Sequence, residues 1–242
     1  MPEYEFERPA VAADIVAFSL RGAEKELSVL LVRRGGETYG GMWALPGGFV
    51  RPNETVDQAA DRELEEETGV ASPFLKQFGV YSADGRDPRT WVISIAYLAC
   101  IRETVPVAGG TDATEAGWFP ASKLPPLAFD HAQIAKDGLL ELGKKAKEYP
   151  LVAYLVQEPF AMADLEQAAR QIQSSASPPK KQKKPSNANP VYDQFKRNFR
   201  KKFAQSNWVI ETGEKRTGRH RPARLYKLLP QDQWGYTPDE TE

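Results

Sequence analysis

Apolar residues crowd positions 10–20, AVAADIVAFSL, and 27–33, LSVLLVR, and the polar stretch RGAEKE separates the two runs. Two β-rich runs around a short polar segment predict a hairpin. GGETYGGMWALPGG follows, too rich in glycine to continue any helix. From 55 to 68 the period changes: Val56, Ala59, Ala60 and Leu64 recur at helical spacing, with Asn53 as N-cap and Gly69 as the stop. FLKQFGVYS and TWVISIAYLACI (90–101) predict further strands, GWFP a short strand, KLPPLAFDH a turn, and 131–148 a polar helix that ends before Pro150. Strands, a helix, strands and a helix in that order describe a mixed α+β domain.

The pattern breaks at 174–190, SSASPPKKQKKPSNANP, where nothing can be buried and a mobile linker or insertion is expected. Beyond it Tyr192, Phe195, Phe199 and Phe203 form an aromatic stripe at spacings of three to four, with Lys196, Arg197, Arg200, Lys201 and Lys202 around it. That is a basic amphipathic helix over 191–203. NWVIETGEKRTGRHRPARLYKLL then predicts a strand, a polar loop carrying Lys215, Arg216, Arg219, His220 and Arg221, and a returning strand. The organisation expected is a first domain over 1–150, a second over 151–230 and a tail over 231–242.

With 242 residues of which 41% are hydrophobic, the chain can hold a domain of about 150 residues and a smaller one. The net charge of −1 hides an asymmetry: residues 1–172 carry 17 basic and 26 acidic groups, whereas 173–242 carry 15 and 7. A basic second half points to a polyanion as partner. The single Cys100, in an apolar run, excludes an internal disulfide and reads as a buried, inert thiol. MPEYEFERP has no apolar core and no run approaches the roughly 18 residues of a membrane span, so a cytoplasmic protein away from the membrane is expected.

GGFVRPNETVDQAADRELEEETGV (47–70) gathers Glu54, Glu63, Glu65, Glu66 and Glu67. Glu63, Glu66 and Glu67 are related by i, i+3 and i+4, which puts three carboxylates on one helical face. Such a face is either a solvated acidic surface or a site for a hard divalent cation with oxygen ligands. The full spacing decides: Gly48, five residues, Glu54, seven residues, Arg62-Glu63-Leu64, one residue, Glu66-Glu67, one residue, Gly69-Val70. This matches the Nudix box at all nine defined positions, a coincidence on the order of 10⁻⁹ per starting position at average composition.

The resemblance implies a Nudix α/β/α sandwich around a mixed sheet, with a loop-helix-loop that binds magnesium, or alternatively manganese, and a nucleoside diphosphate linked to another moiety. Glu63, Glu66 and Glu67 would be the metal-binding carboxylates, Arg62 with Glu54 would orient them, and Leu64 and Val70 would anchor the helix. Gly48 would let the backbone approach the phosphates. The implied chemistry is attack of water at phosphorus, and the box leaves the general base unassigned. GRDPRTWVISIAYLA (85–99) and AGGTDATEAGWFPASKLPPLAFDHAQI (108–134) resemble the Nudix branch that handles ADP-ribose and related NAD metabolites, in particular the NrtR-type transcriptional regulators. There Arg86, Asp87 and Arg89 would meet ligand phosphate or ribose, or would form the ion pairs of a polar turn. His131 beside Asp130 reads as a helix-start residue with a structural hydrogen bond.

The basic second half could lie on an anionic membrane, on a partner protein or on DNA. Helix, strand, basic loop and strand favour DNA, and the segment resembles the winged helix-turn-helix end of NrtR regulators, with FAMADLEQAARQI (160–172) as an earlier helix of that unit. The 174–190 segment is longer than such a unit requires. Lys196, Arg197, Arg200, Lys201, Arg216, Arg219 and Arg221 would then meet double-stranded DNA. The expectation is a homodimeric repressor of NAD-related metabolism that senses ADP-ribose or a relative and retains an intact box. The alternative is a magnesium-dependent ADP-ribose hydrolase with no regulatory role.

Overall fold

The computed structural model describes residues 6–103, 113–146, 149–176, 203, 207–217 and 222–230. The chain divides into two compact units, Met1–Glu141 and Leu142–Glu242.

In the first unit the two apolar runs become β1 (Ala10–Arg21) and β2 (Glu26–Arg34), an antiparallel hairpin as expected. Two short strands, β3 (Trp43–Ala44) and β4 (Gly47–Phe49), lie in the glycine-rich stretch and pair with β2 and β1. β5 (Leu75–Tyr81) and β6 (Val92–Cys100) form a second antiparallel pair, and β6 runs parallel to β1 from Ala10–Val92 to Phe18–Cys100. β7 (Ala113–Pro120), longer than its GWFP end suggested, pairs with β2. The result is a seven-stranded mixed sheet with the order β3-β2-β1-β6-β5 along its main path.

Alternation along β1 decides what each face holds. Ala13, Ile15 and Ala17 join Leu30, Tyr97, Ala99 and Ile101 beneath α1 (Val56–Thr68), which contributes Ala60 and Leu64. Leu64 is fully buried, a burial worth about 1.5–3 kcal/mol. The cap of α1 is Thr55 rather than Asn53: the Gln58 N–H donates to Thr55 Oγ1 at 3.2 Å, and the Thr55 N–H donates to Gln58 Oε1 at 2.8 Å. Asn53 lies two residues too early and has φ of 69° in the preceding turn. Gly69 ends the helix in the left-handed region, as its place after the periodic run implied. Against the opposite set of β1 side chains stands α2 (His131–Lys145), where a Cβ added at Gly138 would come within 3.0 Å of Val16. This helix is not polar throughout, since Ile134, Ala135 and Leu142 are buried. Helix, sheet and helix make the expected sandwich.

The second unit contains α3 (Tyr149–Ala153), α4 (Met162–Ala176) and the antiparallel pair β8 (Val209–Arg216) and β9 (Ala223–Leu228). α4 buries Leu165, Ala168, Ala169 and Ile172, and it continues through residues 174–176, which the sequence had assigned to the linker. Phe160 is tied to Tyr226 by reciprocal backbone hydrogen bonds of 2.9 and 2.8 Å. Phe203 is buried edge-on to Trp208 and Tyr226, with ring centroids 5.6 and 4.9 Å away. The last ring of the aromatic stripe therefore faces the small core; the rest of the expected helix over 191–203 lies outside the described residues. Lys215 and Arg216 belong to β8 and not to the loop, because the strand pairing resumes after a register shift between Glu211 and Lys215.

Candidate functional site

A cavity of about 860 Å³ opens in the first unit, lined by residues of β1, β2, β4, α1, the 86–89 turn and the start of α2. Gly48, Glu63, Glu67, Arg86 and Arg89, expected from sequence at the site, line it together with Gly47; Glu54 and Glu66 are bonded to Arg62 and are not among the lining residues.

Arg62 organises the carboxylates. Its Nε and Nη2 donate to the two oxygens of Glu54 at 2.9 and 2.7 Å, and Nη1 donates to Glu63 at 2.5 Å and Glu66 at 3.1 Å. Nη2 also reaches the Phe49 carbonyl at 3.2 Å, which fastens α1 to the end of β4. These bonds, Glu54's first, hold the Arg62 pKa above its ordinary value. The Arg62 bond and the Arg51 N–H lower the Glu54 carboxyl to about 2. Glu66 is lowered too, chiefly by Arg51, whose guanidinium grips it at 2.8 and 3.1 Å. The Gly47 N–H donates to Glu67 at 2.9 Å. A Cβ at Gly48 would lie 2.5 Å from Glu63 Oε1, so only glycine lets the main chain come this close to the carboxylate.

As placed, no three of the described acidic, histidine or cysteine side chains stand together as ready metal ligands. Arg62 and Arg51 take up the oxygens of Glu63 and Glu66, which offsets the mutual repulsion of a helix face this acidic. The donor set nevertheless fits a hard cation: several carboxylates from one helix, two of them lining the cavity, beside a backbone that carries no side chain to block them.

A second charged group also lines the cavity and was not legible as a unit. Arg86 Nη2 donates to Asp130 at 2.7 Å and Asp14 at 3.1 Å, and its Nε donates to Asp130 at 3.0 Å. Only 5% of the Arg86 side chain and 7% of Asp14's are exposed. Burial opposes the Arg86 charge, yet the bonds to Asp130 and the field of Asp14 outweigh it and its pKa is raised. Asp14 also accepts from Ser94 Oγ at 2.5 Å. His131 Nδ1 accepts from the Leu45 N–H at 2.9 Å, so the neutral ring carries its proton on Nε2, 3.5 Å from Asp14. Burial holds its pKa down. The structural hydrogen bond expected of His131 is thus present. Asp14 had one signal in sequence, a charge inside the apolar run 10–20.

The cavity lining also carries an alternation of guanidinium and ring. Arg34 lies 4.7 Å from the Phe129 centroid, while Arg89 lies 5.6 Å from Phe129 and 5.4 Å from Phe49. Burial first, then Arg89, depresses the Arg34 pKa. Asp87 holds Arg89 at 2.9 and 2.6 Å, the ion pair of a polar turn, and 41% of the Arg89 side chain remains exposed. Arg34, Phe49, Phe129 and Arg51 had no individual signal in sequence. Cys100 is fully buried, with its thiol pKa raised by burial, as an inert role requires.

In the second unit Arg216 donates to Asp164 at 2.9 Å, across from β8 to the first turn of α4. Lys196, Arg197, Arg200, Lys201, Arg219 and Arg221 lie outside the described residues. No helix among the described residues is long and apolar enough to cross a membrane.

A mixed sheet lies between two helices, with a glycine turn laid against an arginine-clasped carboxylate helix in a loop-helix-loop arrangement. Residues 9–138 match the family described as NUDIX domain, and residues 194–228 match the NrtR DNA-binding winged helix domain. The chain belongs to the Nudix family and carries a C-terminal winged-helix domain of the NrtR type. It is 43% identical to an ADP-ribose pyrophosphatase of Methanocaldococcus jannaschii over 53% of this chain and 72% of that protein. It is 28% identical to the ADPR responsive transcriptional repressor NtrR of Acinetobacter baylyi over 94% of this chain and 85% of that protein. Shewanella oneidensis NrtR, in a crystal structure complexed with a 27mer DNA, superposes with a TM-score of 0.71 at 30% identity, over 90% of this chain and 93% of that one.

Proposed function

We propose that the protein is a DNA-binding transcriptional repressor of NAD-related metabolism whose Nudix pocket takes ADP-ribose or a related nucleoside diphosphate derivative as effector. One observation carries this reading: likeness to the repressor extends over 94% of the chain and both units, whereas likeness to the pyrophosphatase covers 53%. In this reading Glu63, Glu66 and Glu67 hold magnesium, or manganese in its place, once Arg51 yields Glu66. The ion, when bound, supplies positive charge to the diphosphate and acidifies a bound water. Arg62 and Glu54 fix the carboxylate helix, and Gly48 leaves room for phosphate. Arg89, part exposed, offers its cation to the ligand, and Arg86, saturated by Asp14 and Asp130, holds the wall. Lys196, Arg197, Arg200, Lys201, Arg219 and Arg221 meet DNA, joined by Arg216 if Asp164 releases it.

A homodimer follows from the way helix-turn-helix proteins read paired half-sites, and a regulator of this kind works in the cytoplasm. Effector binding need favour one arrangement by only about 1–3 kcal/mol to change DNA affinity measurably. The box, complete at all nine defined positions, favours a second activity, hydrolysis of the effector by the same pocket.

The test is fluorescence anisotropy on the promoter of the protein's neighbouring genes at two salt concentrations, with magnesium, with and without ADP-ribose, while product is assayed in the same samples. Tight, salt-dependent binding that ADP-ribose releases is expected. Binding no tighter than to scrambled duplex, and indifferent to ADP-ribose, would leave only the hydrolase. Replacing Glu66 and Glu67 together by Gln should abolish magnesium binding with the fold intact; unchanged magnesium affinity would remove the metal site.

A further inference from the structure

Among the exposed large apolar side chains of the described residues, Phe49 is the one that lines the cavity. It ends β4, paired opposite Ala12, yet 39% of the residue remains exposed. The neighbouring Gly48 brings the main chain against the Glu63 carboxylate. Phe49 thus stands one residue from the point where the main chain meets that carboxylate, in the same cavity as Glu63 and Glu67. On its other flank the ring is backed by Arg89, 5.4 Å from its centroid and fixed to Asp87. Arg89 in turn abuts Phe129, and Phe129 abuts Arg34 at 4.7 Å.

The column is held by close contacts. Phe129 holds φ of 54°, a conformation that costs a bulky residue about 1–3 kcal/mol and persists only where its surroundings impose it. Tyr39 packs edge-on against it at 4.7 Å. An alternation of cation and ring that ends on a partly exposed ring offers a face on which a flat group can stack, and the flat group of a nucleoside diphosphate is its base.

We infer that Phe49 is the stacking face for the purine of the nucleoside diphosphate, and so a residue that sets preference for base-bearing ligands over bare diphosphates. The inference rests on the reading that the pocket takes such a nucleotide derivative. Stacking is sequence-tolerant and scales with ring area, so Phe49 would favour purine over pyrimidine, while Arg89 and Asp87 keep the platform in place.

The experiment is calorimetric titration of the full chain, in magnesium, with α,β-methylene ADP-ribose, α,β-methylene ADP and methylenediphosphonate, which shares their headgroup and lacks a base. Phe49→Ala should weaken both nucleotides about tenfold or more and leave methylenediphosphonate within about twofold; Phe49→Trp should restore the nucleotides. Equal losses for all three probes, or unchanged nucleotide affinity in Phe49→Ala, would overturn the stacking role. Wild-type binding of the ADP analogue without the ADP-ribose analogue would fail the effector reading alone and still test Phe49. Binding of methylenediphosphonate with no gain from a base would overturn the inference and spare the diphosphate site.

Discussion

Two charge clusters border the cavity and are built in opposite ways. The Arg62 clasp draws its acids from one stretch, 54–66, and its outer member Glu66 is 40% exposed with a partner, Arg51, that is 56% exposed. The Arg86 knot draws on residues 14, 86, 94, 130 and 131, and nearly all of it is buried. Exposed pairs contribute little and exchange partners readily, whereas a buried charge that loses its partner is costly. The clasp is therefore the side that can release carboxylates to a cation, and the knot is the side that must not move.

The largest effect should come from the knot. Arg86→Met leaves the buried Asp14 and the partly buried Asp130 without their cation and should cost about 3–5 kcal/mol in urea unfolding of the first unit. A loss under about 1 kcal/mol would erase the distinction between the clusters.

The two clusters should also respond to acid in different windows. The pKa of His131 is held below its ordinary 6.5 by burial, so the unfolded chain takes a proton that the folded ring refuses. Stability is full above that value and should fall by up to about 1.4 kcal/mol per pH unit below it. His131→Gln should flatten that slope. Glu54, lowered from 4.5 to about 2, adds stability that is present above 4.5 and lost as pH falls through about 2. The difference between wild type and Glu54→Gln, followed by thermal unfolding, should stay constant above 4.5 and narrow only below it.

Thr55→Ala removes one arm of the capping box and should cost about 1 kcal/mol. Circular dichroism during denaturation would register it; no change would mean that the charges, not the cap, secure the start of α1. The smallest effect on stability should be Arg51→Ala, below about 1 kcal/mol. It leaves Glu66 with Arg62 as its remaining cation, and titration should show tighter magnesium binding. Weaker magnesium binding would place Arg51 inside the site instead of in competition with the ion.

Some of this was settled by local sequence. The hairpin, α1 with its Gly69 stop, the Arg62 clasp and the wing strands all follow from residues close together in the chain, where spacing alone sets which side chains share a face. Even there details escaped: the cap passed from Asn53 to Thr55, β8 took Lys215 and Arg216 out of the loop, and α4 took residues 174–176 out of the linker. What only the tertiary structure decided is the rest of the cavity wall. Asp14 in β1, Arg86 in a turn and Asp130 before α2 are brought together because β1 and β6 pair in parallel and α2 packs over Val16. Phe49 and Phe129 share Arg89 for the same reason. No periodicity encodes a meeting of residues 14, 86 and 130, since it depends on the register of strands far apart in sequence. The motif carried the carboxylates, and the packing of the sheet decided what lines the cavity with them.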